Sequence, residues 1–154
     1  MRALFSIFPL LVIPVAIYNI MAFAGGGDPV AIEGSERVLA GLTDELNASI
    51  MSVPMISGVT WTLTNGAVLL MLGLLFLFLE ILKSTSTGTA TIMNHAVSMI
   101  LFIVCLIEFL LIADFATSIF FILTIMTLLD VLAGVVVTIV SARRDFAVGE
   151  GFGG

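Results

Sequence analysis

Apolar residues run along this chain in long blocks rather than in short alternating groups. Four blocks stand out, at residues 4–23, 63–82, 96–113 and 115–140. A helix rises about 1.5 Å per residue, so about 20 apolar residues cross a hydrocarbon layer roughly 30 Å thick. Inside lipid a helix also satisfies every backbone N–H within the segment. The pattern therefore predicts an all-α fold, a polytopic membrane helical bundle with four transmembrane helices. The bundle spans residues 1–142 as one domain, and residues 143–154 form a Gly-rich tail with too few apolar residues to order itself, expected to be disordered.

The first block has two readings. Arg2, an apolar stretch and then Ala22-Phe23-Ala24 before three glycines resemble a cleavable signal peptide, which would leave three transmembrane helices. Against cleavage, the run exceeds the roughly 7 to 15 apolar residues of such peptides, and Pro9, Pro14 and Tyr18-Asn19 interrupt it. Retention is the favoured reading.

Between the first two blocks, residues 25–60 form an external loop and helix. Gly25-Gly26-Gly27-Asp28-Pro29 is a flexible exit, and Ser35 offers an N-cap. Val38, Leu39, Leu42, Leu46, Ile50 and Val53 recur at helical spacing, with Arg37, Asp44, Glu45 and Asn47 on the other face. That predicts a short amphipathic external helix, acidic where lipid-seeking helices are basic, so it is expected to pack on the bundle itself or on a partner. Pro54 and Gly58 break the chain before Trp61, which marks the outer edge of the second span. Asn47-Ala48-Ser49 fits a glycosylation acceptor, a tripeptide common by chance. Residues 83–95, rich in Ser and Thr, read as a plain connector.

Composition agrees with lipid as the solvent. The 154 residues are 60% hydrophobic and 10% charged, against roughly a quarter charged in soluble domains. The formal charge of −6 says little about partners, because five of the eleven acids fall between Asp28 and Glu45 and others lie inside apolar runs. With five Lys and Arg, no cluster larger than Arg143-Arg144 exists, which sets nucleic acid aside. The basic residues instead give orientation. Arg2, Lys83 and Arg143-Arg144 fall at alternate ends of the spans and Arg37 alone lies in the external loop, so both termini are expected in the cytoplasm, in a membrane of bacterial inner (plasma) type.

Ionisable groups inside spans cost about 2.5 to 3.5 kcal/mol at a helix centre on insertion scales, so each asks for a partner or a purpose. Glu80 sits three residues before Lys83, and an ion pair with snorkelling accounts for it. Asp130 is the deepest, about 20 Å below the outer boundary. Thr127, Gly134, Thr138 and Ser141 lie within about 80° of it on a helical wheel, a small and polar stripe suited to helix packing. Asp130 is thus either glue between helices or a proton site. Glu108 lies about 7.5 Å inside the outer boundary, level with Tyr18 and Asn19 of the first block, and these three are expected to share a network, an outer polar or proton relay. Asp114 marks the tight turn between the third and fourth spans.

No G-x-x-x-x-G-K-[ST], H-E-x-x-H or G-x-S-x-G motif occurs, Cys105 is the single cysteine and His95 the single histidine. No metal site, cofactor or catalytic residue is expected from these residues. The sequence points to a non-enzymatic bundle, an accessory, assembly or adaptor subunit whose partners are the lipid bilayer and other membrane-protein subunits, or further copies of itself. The alternative is an oligomeric proton-coupled transporter or channel using Asp130 and Glu108.

Overall fold

The computed structural model describes residues 8–25, 30–31, 37–38, 40–84 and 89–149. In chain order the elements are helix α1 (Val12–Gly25), strands β1 (Val30–Ala31) and β2 (Arg37–Val38), helix α2 (Ala40–Asn47) and strands β3 (Ser49–Pro54) and β4 (Thr60–Thr64). Helices α3 (Asn65–Ser84) and α4 (Thr89–Leu111), a 3-10 turn (Ala113–Phe115) and helix α5 (Ser118–Gly149) follow. Among the described residues three stretches are long and apolar enough to cross a membrane: Asn65–Ser84, Ile92–Leu111 and Ser118–Val140.

The four main helices run alternately up and down. The start of α1 meets the end of α3, where the Leu10 N–H donates to Glu80 Oε2 over 2.8 Å. At the other end Tyr18 reaches Thr117, ahead of α5, and Gly66 of α3 lies against Ile119. The two ends are called here the Lys83 end and the hairpin end. Helix α5 is the centre, packed on both α3 and α4, and 44% of its apolar stretch is buried against 28% for α3 and 17% for α4.

Spacing explains which faces meet. The buried residues of α3 are Gly66, Leu69, Gly73, Leu77, Glu80 and Ser84, a three-and-four repeat that keeps one seam toward a neighbouring helix. Small residues on that seam let backbones approach in lipid, where no hydrophobic force draws helices together. A Cβ on Gly73 would stand 2.9 Å from Met126 Sδ and 3.0 Å from Leu123 Cδ2, so α5 lies as near as this glycine permits. Thr64 caps α3, its Oγ1 accepting from the Ala67 N–H at 3.2 Å, and Thr117 caps α5 through the Phe120 N–H at 3.2 Å.

Several sequence expectations are corrected. The first span does not run as helix over 4–23: residues 1–7 lie outside the described residues, and α1 begins at Val12. Its 14 residues reach about 21 Å, short of a bilayer core by themselves. Pro14 falls in its first turn, where a missing N–H costs nothing. The external amphipathic helix does not extend to Val53. It stops at Asn47, and Ile50 and Val53 belong to β3, paired antiparallel with β4 from Pro54↔Thr60 to Ser49↔Thr64.

Ile50 and Val53 fit a helical repeat, yet Thr60, Thr62, Thr64 and Trp61 favour an extended strand and supply its partner. The turn fixes the hairpin: Gly58 has φ of 83°, Gly58 N donates to Met55 O at 3.0 Å and Met55 N to Val59 O at 2.9 Å. Asn65 closes the base, its N–H donating to Ala48 O at 3.1 Å and its amide to Glu45 O at 2.8 Å. Trp61 accordingly sits in β4, ahead of α3. The connector expected over 83–95 is largely helix, since α3 runs to Ser84 and α4 starts at Thr89. The last helix passes the expected end near residue 140 and continues to Gly149, through the first half of the expected tail.

Candidate functional site

Polar side chains gather in two layers, one at each end of the bundle. At the hairpin end the centre is Tyr18, fully buried among Phe115 and Phe120, whose ring centroids lie 5.6 and 4.7 Å from its own. Its hydroxyl donates to the Asp114 carbonyl at 3.1 Å and lies 2.5 Å from Thr117 Oγ1. A phenol has one hydrogen and a carbonyl only accepts, so the geometry makes Thr117 the donor to Tyr18 while Thr117 also accepts from the Phe120 N–H. One hydroxyl thus caps α5 and anchors α1. The network expected of Tyr18, Asn19 and Glu108 is not formed as one unit. The Asn19 amide donates to Val15 O at 3.0 Å and reaches Glu108 Oε2 only at 3.5 Å, while the phenol turns away to the 3-10 turn. Between α1, α2 and α3 lies a cleft of about 290 Å³ with apolar walls including Ile17, Met21 and Leu72, and with Glu45 at its rim.

At the Lys83 end the centre is Glu80, 0% exposed. The expected pair with Lys83 is present at 2.9 Å, but the carboxylate does not snorkel toward water. It also accepts from the Leu10 N–H at 2.8 Å and from the Asn94 amide, while Lys83 donates to Phe8 O at 2.8 Å. One carboxylate therefore ties the approach to α1, helix α3 and helix α4 together. Charge-assisted bonds of this kind offset the cost of taking the ion out of water.

Next to this junction is a group of polar atoms with no such closure. Asp130 on α5 is 1% exposed, and the Ser98 hydroxyl of α4 faces it. Neither Asp130 oxygen nor Ser98 Oγ completes a hydrogen bond within the chain, and Asn94 Oδ1, His95 Nδ1 and His95 Nε2 are buried in the same condition. His95 lies over Gly134, where an added Cβ would collide with the Cγ, Nδ1 and Cε1 atoms of the ring. Of the expected stripe beside Asp130, Thr127 is buried with its hydroxyl on Thr124 O at 2.7 Å, and Gly134 receives the imidazole. Thr138 bonds back to Gly134 O at 2.9 Å, and the Ser141 side chain lies outside the described residues.

Glu80, Asn94, His95 and Ser98 were not singled out as a site by sequence reasoning. A signal existed on α4: Asn94, Ser98, Leu101, Cys105 and Glu108 follow a four-three-four-three spacing, which places both Asn94 and Ser98 on the seam. Among the described residues no group of three or more His, Cys, Asp or Glu side chains is placed to hold a metal ion. What the arrangement offers chemically is proton exchange between buried carboxyl, hydroxyl and imidazole groups. No family model matches the chain, and neither a curated protein nor a solved structure does.

Proposed function

We propose that this chain is a small, non-enzymatic membrane bundle that serves as an accessory or assembly subunit of a larger membrane complex, in a membrane of bacterial inner type with both termini cytoplasmic. The observation that carries this reading is the hairpin of β3 and β4. No residue from Leu46 to Leu79 bears a charge. Met55, Ile56, Val59 and Trp61 are all exposed on the hairpin, Ile56 completely. A neutral two-stranded ribbon with an apolar tip is marginal alone in water and exposes unpaired strand edges. Such a surface suits a protein partner at the membrane's outer side. The burial of Leu11, Val15, Tyr18 and Ala22 in the core supports retention of the first segment as a fourth bundle helix.

The test is purification in mild detergent with mass spectrometry of co-eluting proteins. The same partner subunit should return reproducibly and be lost from an Ile56→Ser, Trp61→Ser variant that keeps its helical content. A stable solitary monomer in every mild detergent would remove the proposal.

A second reading, an oligomeric proton-coupled transporter, is favoured by one observation, the buried and unsatisfied Asp130 carboxyl. Reconstituted vesicles would then show proton-dependent flux that Asp130→Asn abolishes, and absence of flux from the wild-type protein would eliminate it.

A further inference from the structure

His95 carries weight that its place in the sequence did not suggest. It sits on α4 three residues before Ser98, and across the seam α5 presents Gly134 to the imidazole and Asp130 to Ser98. The two contacts fix an antiparallel register in which His95 and Asp130 lie one helical turn apart, about 6 Å along the axis. Gly134 makes the seat: with no Cβ it admits the ring edge-on to the α5 backbone, and any other residue there would expel it. Both groups feel the same two charges, Glu80 and Lys83 of α3. Asn94 and Ser98 face them from α4, and Glu80 is already engaged by Lys83, Asn94 and the Leu10 N–H.

The chemistry of the two groups is complementary. A neutral imidazole has one N–H and one lone pair, and a carboxyl group has two acceptor oxygens or one donor and acceptors when protonated. All four of these nitrogen and oxygen atoms are buried without a bond inside the chain. Burial without partners costs about 1 to 3 kcal/mol per group, which two groups within one turn relieve together when a proton is shared between them through a bridging water.

We propose that His95 and Asp130 form a single two-group protonation site whose ligand is a proton, taken up from the Lys83 end and shared across the α4 and α5 seam. No bond other than the N–H or O–H forms or breaks, and the proton comes from and returns to solvent. The site goes beyond the subunit reading and does not depend on transport or on a partner.

Because the chain has one histidine, selective ¹⁵N-histidine labelling of the full-length protein in detergent reports on His95 alone, provided purification uses no histidine tag. A pH titration of the wild-type protein should give two steps in the imidazole signals, the mark of a coupled pair. Asp130→Asn should leave one step, displaced by about one pH unit or more. Glu80→Gln should keep both steps. A single step at the same pH in wild type and Asp130→Asn overturns the site, as does an imidazole silent from about pH 4 to about pH 9. Loss of the second step in Glu80→Gln rather than in Asp130→Asn also overturns it. Should Asp130→Asn fail to fold, the wild-type protein decides alone. The infrared carbonyl band of a buried, ¹³C-labelled aspartic acid should then change at the same pH as His95, and a band that changes where His95 is silent refutes the coupling.

Discussion

The two ends of the bundle solve the burial of polar groups in opposite ways. At the hairpin end each polar atom around Tyr18 has an assigned neighbour: phenol to Asp114 carbonyl, Thr117 to phenol, Phe120 N–H to Thr117. Aromatic rings close over it, with Phe115 and Phe120 in edge contact at 4.7 Å. At the Lys83 end Glu80 is as well satisfied, yet on α5 the carboxyl of Asp130 is almost as deeply buried and has no hydrogen bond within the chain. A buried group that is bonded holds helices in one arrangement, whereas an unbonded one adds no hydrogen bond to that hold. The difference separates a closed layer from an open one.

Removing the ring at the closed end should have the largest effect. Tyr18→Ala empties the space between Phe115 and Phe120 and strips a partner from Thr117, and a loss of about 3 to 5 kcal/mol is expected. Unfolding of the purified protein in mixed micelles by added denaturing detergent measures it. A loss below about 1 kcal/mol would mean that α1 is not part of the core. Glu80→Ala follows, at about 3 kcal/mol, because it removes the acceptor shared by the Asn94 amide and the Leu10 N–H and the carboxylate paired with Lys83. If the two variants act on one cooperative bundle, both should lower the same single transition rather than melt one end first.

Most of the architecture was legible in the apolar blocks. The second span was placed at 63–82 and α3 occupies Asn65–Ser84, since a run bounded by Thr64 and Lys83 leaves little freedom. The hairpin was not legible, because Leu46, Ile50 and Val53 satisfy a helical repeat and only pairing with a partner strand decides between periods. The start of α4 was missed for a related reason: Asn94 and His95 read as loop residues when polar content alone is weighed, and Ser98 fell inside the third span with no role, but each polar side chain faces α3 or α5 rather than water. Asp130 was singled out from sequence because it stands alone at its depth. Its neighbours were not, because they come from another helix and periodicity on α5 is silent about which face of α4 meets it.

Gly73 tests how closely the central helix must sit for either layer to form. Gly73→Ala brings a methyl to within 3.0 Å of Met126 and Leu123, so α3 and α5 must part by a few tenths of an ångström. A cost of about 1 to 3 kcal/mol is expected, of which relaxation of the flexible Met126 thioether recovers part, and Gly73→Val should cost more than Gly73→Ala. Equal stability of all three proteins would show that the close approach is incidental.

The smallest expected effect is the most discriminating. Asp130→Leu removes a buried carboxyl that makes no hydrogen bond and replaces it with an apolar group of similar volume, facing Ser98. Where a buried polar group is bonded, such a change is costly; where it is not, the change is close to neutral or stabilising. At a pH above the titration of the His95 and Asp130 pair, where no proton is shared between them, micelle unfolding of Asp130→Leu should therefore lie within about 1 kcal/mol of wild type, or above it. The same type of substitution at the closed end, Thr117→Val, should cost about 1 to 2 kcal/mol by removing the α5 cap and the donor to Tyr18. A large loss in Asp130→Leu with none in Thr117→Val would reverse the comparison. Asp130 would then be the adhesive between helices, and the layer around Tyr18 the one with stability to spare for some other task.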